Sequence, residues 1–438
     1  MSVESYLKRT PRSRKLYERA CRVFPTGSTR APLFMWPYPT CMKRAKGCRL
    51  WDADGNVYVD YVCNMGPLIL GHNHPKVVRA VKQQLETGFL MGGTSELEIK
   101  LAEKIIERYP VAEQVGFFPS GTEACMNAAR AVRAYTGKDK IVALEGSYHG
   151  TSDSLYPSEG IPKDLQAKVT RAPFNDAETL ERTVKELKED LAAVFIEPIL
   201  GRAGSLAPKE GYLKAVREIT EKHDVLLVFD EIVTGFRLAR GGASERFGVK
   251  PDLATFGKII GGGFACAAVG GIKEVMDGFA YPPAKNSLEI VNPRIPHPGT
   301  FNDHKISMVA GLATLNELTS EAYEHLENVG QRMRNGLKQL CQELGIKAEI
   351  TGIASIFHIH FTDKEIVDIN SAKLENSLLI RHYDVNMANR GINLAKAHAS
   401  FCSTPVKMSD VNRTLKAAKE TLTAMKPLIS EVAPNLVT

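Results

Sequence analysis

The sequence lacks the features that mark several large classes of protein. Its 438 residues hold no apolar run long enough to span a membrane. No Gly-x-x-x-x-Gly-Lys-Ser/Thr loop is present, which argues against a nucleotide hydrolase of that type. None of the eight cysteines forms a Cys-x-x-Cys pair, so neither a zinc ribbon nor a dithiol redox motif is predicted. There is no internal repeat and no helix-turn-helix pattern, and a DNA-binding regulator is therefore not expected.

The composition is that of an ordinary soluble globular protein. Hydrophobic residues make up 44% of the chain and charged residues 24%, and the length predicts two or three domains. The formal net charge of +6 is spread along the whole chain, so we expect no nucleic-acid partner and no membrane partner. The cysteines are best interpreted as free thiols in a reducing cytoplasm.

Short apolar strands alternate with helical stretches in the middle of the chain. Strands are predicted at Gln114–Pro119, Ile141–Leu144, Ala192–Ile196 and Val225–Phe229, with helices such as Glu123–Tyr135 and Tyr212–Lys222 between them. This rhythm is typical of βαβ units and predicts an α/β fold with a mostly parallel sheet. Upstream, residues 48–62 alternate like a β-hairpin around Asp54-Gly55.

The rhythm changes after about residue 312. Helices are predicted over Glu321–Leu344, Ser371–Asn389 and Ser409–Met425, and strands around Lys347–Ile350 and Ser355–Phe361. This pattern indicates a smaller α+β domain. We therefore expect residues 66–311 to form a large domain and residues 312–438 to form the small domain. Residues 1–65 are expected to contribute to the small domain.

A lysine lies beside a run of three glycines in FGKIIGGG, residues 256–263. Glycines permit close backbone approach and unusual dihedral angles, so this turn could deliver Lys258 to a ligand.

The strand Val225–Phe229 ends in Asp230 and Glu231. Ligands bind at the carboxyl ends of strands in open α/β sheets, and a carboxylate there can pair with a cationic ring nitrogen. The alternatives are a surface lysine and a helix-capping or magnesium-binding aspartate.

Two other strand ends carry polar and aromatic residues. PSGTEA, residues 119–124, lies between a strand and a helix, where backbone N–H groups can bind a phosphate. The hydroxyl of Ser120 or Thr122 could add a hydrogen bond, although Ser120 and Glu123 also have the spacing of a capping box. EGSYHG, residues 145–150, brings Tyr148 and His149 to the next strand end, and an aromatic ring there can stack on a planar cofactor.

These four features together match the needs of one cofactor, pyridoxal 5′-phosphate (PLP). PLP requires a phosphate anchor, a stacking partner, an acidic partner for its ring nitrogen and a lysine for its Schiff base. The sequence contains a candidate for each, in that order, at strand ends. We therefore predict a PLP enzyme that moves an amino group.

The chain also resembles the class III aminotransferase family of PLP enzymes, and within it the glutamate-1-semialdehyde 2,1-aminomutase-like branch. The resemblance runs from about residue 15 to 425. It is carried by DYVCNMGPLILGHNHP (60–75), SGTEACMNAARAVRAYTGKDKI (120–141), EGSYHG, IEP (196–198), FDEIVTGFR (229–237), FGKIIGGG and PGTFND (298–303).

The resemblance implies fold type I and a role for each residue of a site. Lys258 would carry PLP as a Schiff base and Asp230 would pair with the pyridine nitrogen. The other cofactor-binding residues implied are Ser120, Gly121 and Thr122 at the phosphate, Tyr148 on one ring face, Ile232 or Val233 on the other, and Glu197 close by. Thr300 would reach the phosphate of the neighbouring subunit, which implies a homodimer with shared active sites.

Departures from the aminomutase pattern bear on the reaction. The aminomutase has a glutamate near its C-terminus where HASFCS, residues 398–403, places His398. The loop after EGSYHG is also shorter than the gate that retains the aminomutase's intermediate. Arg30, in PTGSTRAP, lies where the family binds a substrate carboxylate, and a guanidinium suits that role because it binds carboxylates in a bidentate manner. A surface salt bridge is the alternative for Arg30.

These departures lead us to expect an aminotransferase that passes the nitrogen of a carboxylate-bearing amine, a β-amino acid or a D-amino acid, to a keto acid. The aminomutase itself ranks second, and a PLP-dependent racemase or epimerase third. No metal site is predicted. His358 and His360 share one strand face in FHIHF, but no third ligand is near them in sequence, so a structural role is favoured.

Overall fold

A computed structural model describes residues 3–30, 34–282, 292–396 and 399–437. The chain divides into two compact units. The first unit comprises Met1–Pro75, Gly201–Ala207 and Glu321–Thr438, and the second comprises Lys76–Leu200 and Pro208–Ser320. In the described ranges, no helix is both long and apolar enough to cross a membrane.

The strands, in chain order, are β1 (Met42–Lys46), β2 (Arg49–Asp52), β3 (Val57–Asp60), β4 (Gln114–Phe118), β5 (Lys140–Leu144), β6 (Val169–Ala172), β7 (Leu191–Ile196), β8 (Leu226–Asp230), β9 (Leu253–Phe256), β10 (Ala267–Gly271), β11 (Glu349–Thr351), β12 (Ile356–His360), β13 (Ile392–Asn393) and β14 (Ser400–Phe401). The helices are α1 (Val3–Arg9), α2 (Pro11–Ala20), α3 (Pro75–Thr87), α4 (Glu96–Arg108), α5 (Gly121–Thr136), α6 (Lys163–Gln166), α7 (Ala177–Leu187), α8 (Tyr212–Lys222), α9 (Gly242–Phe247), α10 (Lys273–Met276), α11 (Lys305–Glu317), α12 (Ser320–Glu343), α13 (Ile369–Ala372), α14 (Ser377–Asn389) and α15 (Met408–Val432).

The second unit is built around a seven-stranded sheet with the order β4-β10-β9-β8-β7-β5-β6. Every neighbouring pair from β9 to β6 is parallel, whereas β10 is antiparallel to both β4 and β9. All side chains of β7 are buried, as expected for a parallel strand covered on both faces. The small residues of α5 pack on this sheet, with Ala124, Ala128 and Ala131 fully buried. The predicted α/β fold with a mostly parallel sheet is confirmed.

The first unit contains two small sheets, β1-β2-β3-β13 and β11-β12-β14. The predicted hairpin is β2–β3, and its register pairs Leu50 with Tyr58. The side chain of Asp52 closes the turn by accepting hydrogen bonds from the backbone N–H groups of Asp54 at 3.0 Å and Asn56 at 2.8 Å. The core of this unit lies under α12, α14 and α15 and includes the fully buried Val329, Met333 and Leu422.

Two helices of the first unit differ from their predicted bounds. The stretch predicted as one helix over Ser371–Asn389 is broken after α13, because the side chain of Asn376 caps a new helix by accepting hydrogen bonds from the backbone of Leu378 and Leu379. The last helix, α15, continues through Pro427 to Val432. Burial of Ile429 in the core stabilises this final turn despite the hydrogen bond that a proline cannot make.

Candidate active site

The predicted site residues of the second unit follow strands that share one edge of its sheet. Ser120 follows β4, Tyr148 follows β5, Glu197 follows β7, Asp230 ends β8 and Lys258 follows β9. These strands all run in the same direction, so their carboxyl ends meet at the same edge. This is where ligands bind in open α/β sheets.

The loop before α5 presents backbone N–H groups and two hydroxyl side chains. Ser120 is the N-cap of α5, and its Oγ accepts a hydrogen bond from the backbone of Glu123 at 3.2 Å. Thr122 Oγ1 accepts a hydrogen bond from the backbone of Thr151 at 3.3 Å. Gly150 has φ +82°, and a Cβ at this position would lie 2.5 Å from Thr122 Cα. The glycine therefore allows the loop after β5 to pack directly on the helix end that can bind a phosphate.

Asp230 is buried and fully hydrogen-bonded. Its Oδ2 lies 2.7 Å from His149 Nδ1, and its Oδ1 accepts hydrogen bonds from Thr255 Oγ1 at 3.0 Å and the backbone of Ile232 at 3.1 Å. Burial by itself raises the pKa of this carboxyl, but the hydrogen bond and charge of His149, with smaller contributions from Ile232 and Lys258, lower the pKa below its ordinary value. Asp230 is thus ionised and held in one orientation.

His149 is the residue of this site to which the sequence assigns no role. It is separated from Asp230 by 81 residues, and both side chains are almost fully buried. The His149 ring packs edge-on against Phe195, with ring centroids 4.7 Å apart. The sequence places His149 next to Tyr148 at a strand end. Only the fold shows that the His149 ring points at the carboxylate of Asp230.

Glu231, the neighbour of Asp230, serves a different purpose. Its carboxylate accepts hydrogen bonds from the backbone of Ala243 at 2.9 Å and Ser244 at 3.0 Å, and one from the hydroxyl of Thr234. Burial raises the pKa of Glu231 to about 7. The two adjacent carboxylates therefore have separate roles, with Asp230 in the site and Glu231 holding the start of α9.

Lys258 begins a short 3-10 turn, and its backbone has φ +47°. A non-glycine residue in this left-handed region costs roughly 1 kcal/mol or more and persists where packing fixes it. The packing here comes from glycines: a Cβ on Gly262 would collide with the carbonyl of Ala310, and one on Gly311 with the carbonyl of Ile260. The glycine run thus lets the lysine turn pack closely on α11.

The Lys258 amine is suited to covalent chemistry. Burial lowers its pKa, and the nearby charges of Asp230, Glu197 and Cys125 offset only part of this effect. No hydrogen bond or ion pair holds this amine within the part of the chain that the structure describes. A lysine amine with a lowered pKa and no hydrogen-bond partner of this kind is suited to react with an aldehyde.

The remaining cofactor candidates also belong to the second unit. Ile232 fills the space between Gly121 and Gly257. A Cβ added to Gly121 would lie 3.3 Å from Ile232 Cδ1, and a Cβ added to Gly257 would lie 2.8 Å from it. Val233 follows it and is partly exposed. Glu197 Oε2 accepts a hydrogen bond from the backbone of Tyr148 at 3.3 Å, and the Tyr148 ring is 41% exposed. Thr300 is exposed on the surface of the same unit.

Of the two predicted substrate residues, Arg30 lies in the first unit. The Arg30 guanidinium donates a hydrogen bond to Asn64 Oδ1, and the Arg30 backbone N–H donates to Ser28 Oγ at 3.1 Å. Asn64 is part of a left-handed turn in which Cys63, Asn64 and Met65 all have positive φ. His398 lies outside the described residues, and its predicted role stays a prediction.

Comparison with known proteins places the chain among amino-group-transferring enzymes. The family model described as aminotransferase class-III matches residues 35–416. A glutamate-1-semialdehyde 2,1-aminomutase from Methanocaldococcus jannaschii is 39% identical over 93% of this chain and 97% of its own length. The enzyme of that name from Methanothermobacter thermautotrophicus is 40% identical over 95% of this chain and 100% of its own length. The crystal structure of an ω-transaminase from Sphaerobacter thermophilus matches with a TM-score of 0.88 and 36% identity, covering 94% of this chain and 97% of that one.

These comparisons correct the order of the predicted reactions. An aminotransferase for β-amino or D-amino acids was ranked first because of His398 and the short loop after His149. That ranking is wrong, because the curated relatives, at 39% and 40% identity over nearly their whole lengths, are named as the aminomutase that was ranked second. The predicted ranking gave more weight to two local departures from the aminomutase pattern than to a resemblance that extends along the whole chain.

The residues at the sheet edge fit the cofactor of this family. Asp230 offers an ionised carboxylate for a cationic ring nitrogen, and the start of α5 offers backbone N–H groups for a phosphate. Lys258 offers an uncommitted amine for an aldehyde. The chain therefore belongs to the class-III aminotransferase family, with the fold of type I PLP enzymes and pyridoxal 5′-phosphate as its cofactor.

Proposed function

We propose that this protein is a glutamate-1-semialdehyde 2,1-aminomutase, which moves an amino group between neighbouring carbons of one substrate. The observation that carries the proposal is the match of 39% and 40% identity over 97% and 100% of the lengths of two proteins with that name. A match of this extent covers both units and every strand end of the site. We further propose that the protein acts in the cytoplasm, where its eight free cysteines would stay reduced.

The chain's own groups supply proton transfer and charge. When bound, PLP makes the carbon next to the transferred nitrogen acidic by drawing electrons into its ring. Lys258 Nζ, whose pKa is lowered by burial, can accept a proton from that carbon and return it to a neighbouring atom. Asp230 would offer its negative charge to the ring nitrogen of the bound cofactor, and His149 holds the orientation of that carboxylate. The start of α5 would hold the phosphate.

An assay without an amino acceptor tests this proposal. The purified holoenzyme should convert glutamate 1-semialdehyde to 5-aminolevulinate when no keto acid is present, because the nitrogen stays within the substrate. Product formation should be measured with and without added pyruvate or 2-oxoglutarate. A strict requirement for a keto acid, with no isomerisation in its absence, would contradict the aminomutase assignment.

We also propose that the active unit is a homodimer with shared sites. In the second unit, Phe89, Leu90 and Met91 are 43–54% exposed, and Phe301 is 51% exposed. The backbone of Lys305 donates a hydrogen bond to the Phe89 carbonyl at 3.2 Å, so these apolar side chains lie in neighbouring segments. A second copy of the chain would cover this surface and meet Thr300, which lies beside it.

Subunit mixing tests whether Thr300 acts across the dimer. Lys258→Ala and Thr300→Ala proteins are each expected to be impaired, and activity should rise when their subunits exchange. One site of the mixed dimer then lacks both groups, whereas the other has both. Mixing Lys258→Ala with Asp230→Asn is the matched control, because both groups come from one chain and no intact site can form. If exchange is demonstrated and the first mixture gains no activity, sharing through Thr300 is wrong.

A further inference from the structure

A buried cluster of possible metal ligands lies in the first unit, apart from the residues described above. His358 and His360 project from the same face of β12, and Glu375 comes from the turn after α13. Glu375 Oε2 lies 2.7 Å from His360 Nδ1 and 3.7 Å from His358 Nε2. The three ligand atoms lie within 4.8 Å of one another. The fold thus supplies the third group that was missing near the two histidines in sequence.

The hydrogen bonds around His360 determine which of its ring nitrogens carries a proton. Thr351 Oγ1 lies 2.8 Å from the carbonyl of Gly204 and 3.0 Å from His360 Nε2. A carbonyl oxygen can only accept a hydrogen bond, so the hydroxyl of Thr351 donates its single proton in a hydrogen bond to the Gly204 carbonyl. The Thr351 oxygen must then accept a hydrogen bond from His360, whose Nε2 is therefore protonated. In the neutral ring, Nδ1 carries a lone pair.

This assignment leaves a lone pair facing a carboxylate. His360 Nδ1 and Glu375 Oε2 are only 2.7 Å apart, so a proton or a metal ion has to lie between them. A second ring proton on His360 or a carboxyl proton on Glu375 could occupy this position. A metal ion meets the same need without a second ring proton.

We propose that His358, His360 and Glu375 bind a divalent transition-metal ion, with Zn²⁺ as the best match. Two imidazole nitrogens and one carboxylate oxygen form a known ligand set for Zn²⁺, and they leave a fourth position for solvent. Ligand atoms about 2.0–2.2 Å from a tetrahedral ion lie about 3.3 Å from each other. The separations of 2.7 Å and 3.7 Å from Glu375 Oε2 bracket this value, and all three ligand atoms lie within 4.8 Å of one another. Side-chain shifts would bring the three atoms into contact with one ion.

The surroundings of the cluster support a metal site. A ligating histidine usually donates its other ring N–H to an oxygen that fixes the ring, and Thr351 does this for His360. Gly204 has φ +69°, and a Cβ there would lie 2.5 Å from His360 Nε2. Only glycine therefore fits beside the ring. A bound ion would tie β12 to the turn before α14 within the first unit.

Metal analysis of the full-length holoenzyme tests the site directly. The protein is first treated with a chelator, then equilibrated with excess Zn²⁺ and freed of unbound metal. We expect one bound Zn²⁺ per chain and a Zn²⁺ absorption-edge spectrum showing two imidazole ligands. The double variant His358→Ala/His360→Ala should lose the ion. Thr351→Val keeps all three ligands, so it should bind Zn²⁺ about 10- to 100-fold more weakly.

His223→Ala is the matched control, because His223 also lies near a carboxylate, with its Nε2 3.8 Å from Glu181 Oε1. This variant should keep its Zn²⁺. The wild-type measurement does not depend on any variant folding: absence of stoichiometric Zn²⁺ would overturn the proposal and leave a proton between His360 and Glu375. Bound Zn²⁺ whose spectrum shows no imidazole ligands would overturn it as well.

Discussion

Replacing Lys258 by alanine is expected to lower kcat by at least about 10⁴-fold, because one amine provides both the covalent attachment and the proton transfer. Asp230 and the start of α5 remain in the variant, so PLP should still bind, without a covalent link. Multiple-turnover assays and a PLP titration measure the two effects separately. Turnover within about tenfold of wild type would exclude Lys258 as the catalytic amine.

The effect of Lys258→Ala should be chemical and not structural. Small primary amines added to the variant should restore part of the rate, which they could not do if the side chain only supported the fold. Lys273→Ala is a suitable control, since the Lys273 amine forms an exposed ion pair with Asp277 at 2.6 Å in the same unit. That variant should retain its full rate.

Replacing Asp230 by asparagine is expected to lower kcat by roughly 100-fold or more, because a preorganised charge that faces developing charge usually contributes this much. Each pKa unit lost by the ring nitrogen corresponds to about 1.4 kcal/mol of stabilisation. The amide can still accept hydrogen bonds from Thr255 and Ile232, so the fold and the affinity for PLP should change much less than kcat. The measurements are kcat, the PLP dissociation constant and thermal unfolding.

Glu231→Gln is the matched control for Asp230→Asn, because it neutralises the neighbouring buried carboxylate. Glu231 binds the start of α9, and its pKa of about 7 means that it is already partly protonated near neutral pH. This change should alter stability modestly and leave kcat nearly unchanged. Equal losses of kcat in the two variants would show that charge at Asp230 has no special role.

The pH dependence of stability should reflect the different environments of these two carboxyl groups. The pKa of Asp230 is lowered in the folded protein, so its contribution to stability is present above the pKa of an unfolded aspartate, about 3.9, and is lost as the pH falls through the folded value. The pKa of Glu231 is raised, so its contribution is largest below the ordinary glutamate value and declines as the pH rises towards 7.

Local patterns in the sequence predict most of the elements that position the site. The helix Tyr212–Lys222 has the bounds predicted for it, and β4, β5, β7 and β8 lie within a residue or two of theirs. The motifs at the strand ends could be recognised because each is contiguous and has its own chemistry. The short segment Gly201–Ala207 belongs to the first unit although it lies between two parts of the second, and no periodicity reveals such an excursion.

Contacts between distant residues could not be predicted in the same way. His149 and Asp230 are 81 residues apart, and Thr351 meets Gly204 across 147 residues. Glu375 reaches His360 only because the chain turns back after α13, at the point where one continuous helix was expected. These pairings depend on the packing of whole elements, which a single sequence does not encode in its local spacing.

The most direct test of the active site is to locate the cofactor's covalent linkage in the native holoenzyme. Borohydride reduction makes the linkage permanent, and proteolysis with mass spectrometry then identifies the modified lysine. We expect the modification on Lys258 alone, because burial lowers the pKa of its amine at the strand edge that also holds Asp230. Modification of another lysine, with Lys258 left unlabelled, would contradict the assignment of this site.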